Sequence, residues 1–318
     1  MHYGVIGIGP VGATFAALLS AKGNRVSVLD ANQELVESFK RRPLKIVGFY
    51  KAETHLKEVY TSFDDFAAQD PDVVILSVKT NALPGLLSRI KNSRLSLKPV
   101  VSCQNGIDTE KEIAQALGLE QSFRMVLNFG VSYCPDDHEV TVNFLNEPHF
   151  ISCESPARAD FARQIASDLT EAGVRIEFVS DIAPWVFKKA ILNTTLSCVC
   201  TLTRMTMSQA MAEKDLENMV RAIVVEGMQI CRSNNIDIEE DFLEEAISYL
   251  SKGGNHKPSM LVDIENGRPT EIRHLAGKLV EYAQKQNIEA PVIQSMFYLI
   301  KGLEKTVAQR ERVPSQTG

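Results

Sequence analysis

The sequence predicts an α/β protein with a doubly wound parallel sheet, followed by a second, all-helical C-terminal domain. Three observations carry this. Short β-rich runs alternate with helical stretches over roughly the first 125 residues. A glycine-rich turn joins the first run to the first helix, and from Ile182 onward the periodicity is almost entirely helical. The boundary falls near Ser180, giving a sheet domain over residues 1–180 and a helical domain over 181–318.

Tyr3–Ile8 reads as the first strand and Val11–Lys22 as the helix after it. Arg25–Leu29 alternates as a strand should, and Leu35–Arg41 has helical spacing. Asp72–Val78 is a nearly continuous apolar run, the pattern of a central parallel strand buried on both faces. Pro99–Cys103 is another, and Thr109–Leu117 a helix. After about Phe123 the rhythm changes to three strand-like runs, Arg124–Ser132, Glu139–Phe144 and His149–Cys153, with the turn cluster Pro135-Asp136-Asp137 among them. These read as an antiparallel extension of the sheet. Ala157–Thr170 is a helix and Arg175–Val179 a last strand. The helical part comprises Trp185–Thr203, apolar enough to be buried, then Lys214–Ser233, Glu239–Ser251, Thr270–Gln286 and Pro291–Ala308, with a frayed tail at Val313–Gly318.

The composition narrows the function classes. The chain has 318 residues, 44% of them hydrophobic and 23% charged, which excludes a disordered chain or a disulfide miniprotein. A net charge of −6 argues against a nucleic-acid-binding surface. Gly4 to Ala21 carry no charge, but no Lys or Arg precedes them and Gly7, Gly9, Pro10 and Gly12 interrupt them, so a strand, turn and buried helix explain the run better than a membrane span. No membrane partner and a cytoplasmic location are expected. The six cysteines match no zinc pattern and read as free thiols in a reducing compartment; no histidine or carboxylate cluster has metal-ligand spacing, so no metal is expected.

Gly7-Ile8-Gly9-Pro10-Val11-Gly12 is G-x-G-x-x-G in the context it requires, after a strand and opening a helix. The first glycine permits the tight turn, the second lets the backbone approach a pyrophosphate, and the third lets helix pack on strand. The helix N-terminus then offers N–H groups to the phosphates. Gly7, Gly9, Pro10, Val11 and Gly12 are therefore the expected contacts of a dinucleotide in a Rossmann-type domain. Asp30 ends the second strand, 18 residues after Gly12, where an acidic residue bonds the adenosine ribose hydroxyls. A carboxylate there repels a 2′-phosphate, so Asp30 favours NADH. Lys40, Arg41 or Arg42 folding back over the ribose would reverse that choice.

Lys189, Asn193 and Ser197 stand at i, i+4 and i+8 and share one face of an apolar helix. Polar groups facing inward from such a helix need partners or a task; a solvated or interface face is the alternative. Lys188 has Leu192 at i+4 and is expected to point away. A second polar group comprises Ser259, Asp263 and Glu271. Taken singly, Asp263 reads as a solvated helix residue and Glu271 as an acid beside a helix start at Thr270.

Together these motifs resemble the ketopantoate reductase family over nearly the whole chain. The family's glycine motif is matched by Gly7, Gly9 and Gly12, its lysine after the fourth strand by Lys79, its Asn-Gly after the fifth by Asn105-Gly106, its Lys-x-x-x-Asn by Lys189 and Asn193, and its Ser-Met-x-x-Asp and Thr-Glu by Ser259-Met260, Asp263 and Thr270-Glu271. The resemblance implies a Rossmann domain, a helical domain and an active site in the cleft between them. It implies that Lys189 is the general acid, that Asn193 and Glu271 orient it and hold the substrate's hydroxyl end, that Ser259 binds the substrate carboxylate, that Asn105 lines the nicotinamide and substrate cleft, and that Lys79 adds positive charge. The expected activity is reduction of ketopantoate to (R)-pantoate with a nicotinamide cofactor, for pantothenate synthesis. The alternative is an NADH-dependent reductase of another 2-oxo acid; a dinucleotide sensor without catalysis would need the glycine loop but not Lys189. Two departures bear on this: Ser197 stands where the family has a second asparagine, and Asp30 stands where NADPH, the family default, meets a basic residue. A homodimer through the helical domain is also expected.

Overall fold

The computed structural model describes residues 1–312, with side chains through Val307; the tail expected at Val313–Gly318 lies outside the described residues. The chain forms two compact units, one of Met1–Gln104 with Asp108–Ile182, the other of Asn105–Ile107 with the residues from Ala183 on. The helical unit thus takes three residues from the middle of the first, which a single boundary near Ser180 does not foresee.

The first unit contains strands β1 (His2–Ile6), β2 (Arg25–Leu29), β3 (Leu44–Gly48), β4 (Ala52–Thr54), β5 (Glu58–Tyr60), β6 (Val73–Leu76), β7 (Val100–Ser102), β8 (Ser122–Val126), β9 (Phe129–Cys134), β10 (Glu139–Leu145), β11 (His149–Cys153) and β12 (Ile176–Phe178). Its helices are α1 (Pro10–Ala21), α2 (Gln33–Arg41), α3 (Phe63–Ala67), α4 (Leu83–Lys91), α5 (Thr109–Leu117) and α6 (Ala159–Glu171). Eight strands form one sheet in the order β12-β11-β8-β7-β6-β1-β2-β5. It is parallel from β5 to β8, after which β11 pairs antiparallel to β8. The strand order reverses on either side of β1, so the turns after β1 and β6 flank the position where such sheets bind ligands.

The runs after Phe123 do not simply extend this sheet. Arg124–Ser132, expected as one strand, is two: β8 stays in the large sheet, while β9 joins β10, β3 and β4 in a second, four-stranded sheet. Asn128 makes the break. Its N–H donates to His149 Nδ1 (3.0 Å), its side-chain amide donates to the Pro148 carbonyl (3.0 Å), and its carbonyl accepts the N–H of Asn146 (2.8 Å), so its backbone leaves the first ladder. Helix α1 packs on β1 and β2 and also on β3, β4, β9 and β10. That explains the absence of charge along it: Phe15, Ala16, Ala17 and Leu19 are fully buried.

Every element after Ile182 among the described residues is helical: α7 (Ala183–Thr203), α8 (Met207–Ala212), α9 (Lys214–Ser233), α10 (Phe242–Ser251), α11 (Ser259–Glu265), α12 (Ala276–Lys285) and α13 (Pro291–Arg312). Helix α7 packs against all six of the others. At Gly227 a Cβ would lie 2.6 Å from Ile191, so this glycine sets how closely α9 approaches α7. The carboxylate of Glu226 accepts the N–H groups of Val292 (2.9 Å) and Ile293 (2.8 Å) and so caps α13. The single helix expected over Thr270–Gln286 begins only at Ala276. The Thr270 hydroxyl accepts from Ile272 N–H (3.2 Å) while donating to Glu304 (2.6 Å), and this local bonding competes with helix. No helix among the described residues is long and apolar enough to cross a membrane.

Candidate functional site

Two groups of polar and backbone features stand out, one in each unit. In the first, the glycine turn after β1 is fixed from below. Gly7 has φ of +94°, and a Cβ there would lie 2.8 Å from Val78 Cγ1. A Cβ on Gly12 would fall 2.0 Å from the Gly7 carbonyl oxygen and 2.4 Å from Ser77 Oγ. Ser77, which the sequence did not single out, donates to that same carbonyl at 2.7 Å. Gly9 differs: a Cβ there would meet nothing within 4 Å. The fold itself does not require glycine at this position, whereas a pyrophosphate approaching the turn closely would. Helix α1 begins at Pro10 with Gly9 as its N-cap and has no side-chain cap, and the space beside Gly9 is open. Tight turn, close helix packing and open approach are all present, and these residues fit a dinucleotide pyrophosphate.

Asp30 stands one residue beyond β2. Its Oδ2 accepts the N–H of Ile8 (2.7 Å) and its Oδ1 the N–H of Asn32 (2.8 Å). One carboxylate therefore ties the glycine turn to the start of α2, where Asn32 caps the helix by accepting from Leu35 N–H. The cations named as a route to a 2′-phosphate lie at the other end of α2, about 13 Å along it. Lys40 and Arg41 pair with Glu37, and the Arg42 guanidinium donates to the Asp136 carbonyl (3.0 Å). Lys79 is exposed in the turn after β6, as the N-cap of a short 3₁₀ segment.

In the helical unit, Asn105, Asn193, Ser197, Ser259, Asp263 and Glu271 come together with Met260 and Leu275 around one cavity of about 40 Å³. Helix α7 supplies Asn193 and Ser197 from the stripe recognised in the sequence, and Lys189 is half-buried one turn before them. Ser259 opens α11, and Asp263 follows one turn later, buried, with Arg268 Nε 3.2 Å from its Oδ1. Asp263 is therefore not the solvated helix residue it resembles when taken singly; its place beside Ser259 was marked by the family motif alone. Glu271 is buried in the turn before α12, not in a helical first turn; its carbonyl accepts the N–H groups of His274 and Leu275. The Asn105 segment is held by the bond from Ile107 N–H to the His274 carbonyl (2.9 Å), and Gly106 passes so near that a Cβ would lie 2.8 Å from that of His274. Burial holds the His274 imidazole below its ordinary value, with Lys278 and Arg273 adding to this and Glu271 and Glu281 opposing it.

Lys188 turns away from the stripe. It pairs with Glu239 and lies over the rings of Trp185 (4.8 Å) and Phe242 (5.7 Å). None of the six cysteines forms a disulfide, and burial pushes the Cys198 thiol up to about 12 and Cys200 up to about 11. Among the described residues no group of three or more His, Cys, Asp or Glu side chains is placed to hold a metal ion.

Fold and site define a class: a dinucleotide-binding Rossmann domain followed by a helical domain carrying a polar pocket. Two family models match the chain in tandem, "Ketopantoate reductase PanE/ApbA" over residues 3–141 and "Ketopantoate reductase PanE/ApbA C terminal" over residues 181–304. The chain belongs to the ketopantoate reductase family, whose members are oxidoreductases. It is 26% identical over 303 residues to the 2-dehydropantoate 2-reductase of Pyrococcus abyssi, covering 94% of this chain and 97% of that protein. Among solved structures, it is similar to a PanE/ApbA family ketopantoate reductase from Ralstonia eutropha JMP134 (TM-score 0.85, 18% identity, 96% and 99% of the two chains). It is also similar to D-mandelate dehydrogenase in a ternary structure with NADH and anilino(oxo)acetate (TM-score 0.82, 23% identity, 96% and 99%).

Proposed function

We propose that this protein is a 2-dehydropantoate 2-reductase, which reduces the ketone of ketopantoate to the hydroxyl of (R)-pantoate. One observation carries the choice of substrate: the cavity that gathers Asn193, Ser197, Ser259 and Glu271 is polar on nearly every side and small. At about 40 Å³ it has room for only a few waters, so it grips the polar end of a ligand rather than enclosing a large one. A hydroxyl finds donors and acceptors there. An aromatic ring would strip water from Asn105, Asn193, Asp263 and Glu271 and give nothing in return.

The bound nicotinamide supplies the hydride. As the carbonyl carbon gains that hydride, the carbonyl π pair moves to oxygen, and the Lys189 ammonium gives that oxygen a proton. Solvent returns a proton to the amine. Asn193, one turn from Lys189, and Glu271 orient the ammonium and hold the distal hydroxyl of the substrate. Ser259 donates to the substrate carboxylate. Asn105 borders the nicotinamide and the reacting carbon of the substrate, and Lys79 adds positive charge that favours the anionic dinucleotide. Gly7, Gly9, Pro10, Val11 and Gly12 take the pyrophosphate, and Asp30 takes the adenosine ribose. We infer NADH as the preferred cofactor, because Asp30 accepts from a free 2′-hydroxyl and repels a phosphate.

Asp30 and Ser197 also favour a second assignment, the NADH-dependent reduction of another 2-oxo acid. Turnover of ketopantoate, a branched 2-oxo acid and phenylglyoxylate, each with both cofactors, separates the two: kcat/KM highest for ketopantoate supports the first, and for phenylglyoxylate refutes it. A homodimer belongs to the same proposal. Tyr298 and Leu299 on α13 are each more than half exposed, and one similar structure is described as a dimeric ketopantoate reductase from Staphylococcus aureus (TM-score 0.76, 16% identity).

A further inference from the structure

Beneath the turns that carry Lys79 and Asn105 lies a buried arginine that the mechanism above does not use. Arg124 on β8 is 2% exposed and pairs in register with Ser102 on β7, which in turn pairs with Leu76 on β6. One row across three strands thus ends two residues short of Val78 and Gln104. Arg124 Nη1 donates to the Gln104 carbonyl (2.6 Å) and to Ser102 Oγ (2.9 Å). The single Ser102 hydroxyl proton is shared between Gln104 Oε1 (3.2 Å) and Thr109 Oγ1 (2.9 Å), and the Gln104 amide, its Oε1 turned toward Ser102, donates from Nε2 to the Val78 carbonyl (3.0 Å). Glu110, 6% exposed, brings its carboxylate to 3.6 Å from Arg124 Nε and balances the charge.

A buried ion pair is weak support for stability, because desolvation offsets much of the attraction. Here the guanidinium instead fixes two main-chain carbonyls, one directly and one through Gln104. The residues immediately after those carbonyls are Lys79 and Asn105.

We propose that Arg124 and Gln104 are positioning residues: they form one bracket that sets the backbone from which Lys79 and Asn105 project. Arg124 acts on both turns, Gln104 on the Val78 turn alone. This rests on the proposed function, since it assigns Lys79 to the dinucleotide and Asn105 to the substrate.

The test uses the full chain with Gln104→Leu, Arg124→Lys and the double variant. Dissociation constants for NADH and NADPH are measured by fluorescence titration, and KM for ketopantoate by initial rates, after a thermal melt shows each variant folded. Gln104→Leu is expected to weaken dinucleotide binding by about tenfold, the scale of a buried hydrogen bond, with KM for ketopantoate within twofold. Arg124→Lys is expected to raise both. The double variant is expected to bind dinucleotide no more weakly than Arg124→Lys alone, because both changes release the same turn. A stabilising ion pair without positioning would lower the melting temperature and leave the constants of the folded variants unchanged. Unchanged constants in folded Gln104→Leu, or effects that multiply in the double variant, overturn the bracket. A wild-type chain that binds no dinucleotide overturns the proposed function itself, and the bracket with it.

Discussion

The carboxylate of Asp30 accepts the backbone N–H of Ile8 at 2.7 Å, inside the glycine turn. Asp30 is thus part of the turn's support as well as the expected ribose ligand. Each carboxylate oxygen has a second lone pair, so holding Ile8 and Asn32 leaves acceptors for ribose hydroxyls. Asp30→Ala should therefore weaken both cofactors but NADH more, lowering the NADH-to-NADPH ratio of kcat/KM by roughly tenfold or more, the scale of removing a like-charge clash. A preference for NADPH that is already present in the wild type and unchanged in Asp30→Ala would show that Asp30 does not face the ribose.

Gly9 and Gly12 should separate ligand binding from folding. At Gly9 a Cβ meets nothing within 4 Å and the backbone has φ of −61°, which alanine adopts freely. Gly9→Ala should melt within a few degrees of wild type yet bind dinucleotide about tenfold or more weakly, the cost of a methyl group where backbone meets pyrophosphate. Gly12→Ala drives a methyl to 2.0 Å from the Gly7 carbonyl oxygen and should lose stability as well. Unchanged binding in Gly9→Ala would mean that no ligand lies on this turn.

Lys188 and Lys189, adjacent in sequence, should behave oppositely. Lys188 is held by Glu239 and by the rings of Trp185 and Phe242. Lys188→Ala should keep kcat within about twofold and lower the melting temperature by a few degrees, as expected for about 1 kcal/mol lost in a domain of this size. An inactive, fully stable Lys188→Ala would reverse the face assigned to α7.

His274 should make stability depend on pH. Its folded-state value lies below the ordinary 6.5, chiefly because burial disfavours the charged imidazole. Between the folded and unfolded values the unfolded chain binds more protons, so this contribution is fully present above about pH 6.5 and is lost as pH falls through the folded value. Denaturation midpoints at pH 7.5 and 5.5 should differ less in His274→Gln than in wild type. An identical difference in both would remove His274 from the account.

Much of this arrangement was legible in the sequence, and the reasons are physical. The glycine turn announces itself because three glycines stand at fixed spacing between a strand and a helix, two of them, Gly7 and Gly12, meeting steric demands of the fold, and the α7 stripe because polar groups on an apolar helix stand out. Thr109–Leu117 and Arg25–Leu29 match their observed limits residue for residue. Strands β3 to β5 and the break at Asn128 were not legible. They depend on pairing with distant segments, and nothing local distinguishes Arg124–Ser132 as two strands in two sheets. The Arg124 bracket was hidden for a similar reason: it is a lone charged residue whose partners are set by tertiary packing, and Asp263, marked only through the family's motif, reads as solvated when taken singly because its burial is set the same way.

The central claim is that Lys189 protonates the reduced ketone. Its most direct test is the rate of ketopantoate reduction by Lys189→Ala at saturating cofactor, alongside the dinucleotide dissociation constant of the same variant. Loss of a general acid lowers kcat by about 10²-fold or more, and the dissociation constant should remain within about twofold, since Lys189 belongs to the helical unit and not to the glycine turn. A Lys189→Ala variant that reduces ketopantoate at the wild-type rate would contradict the mechanism.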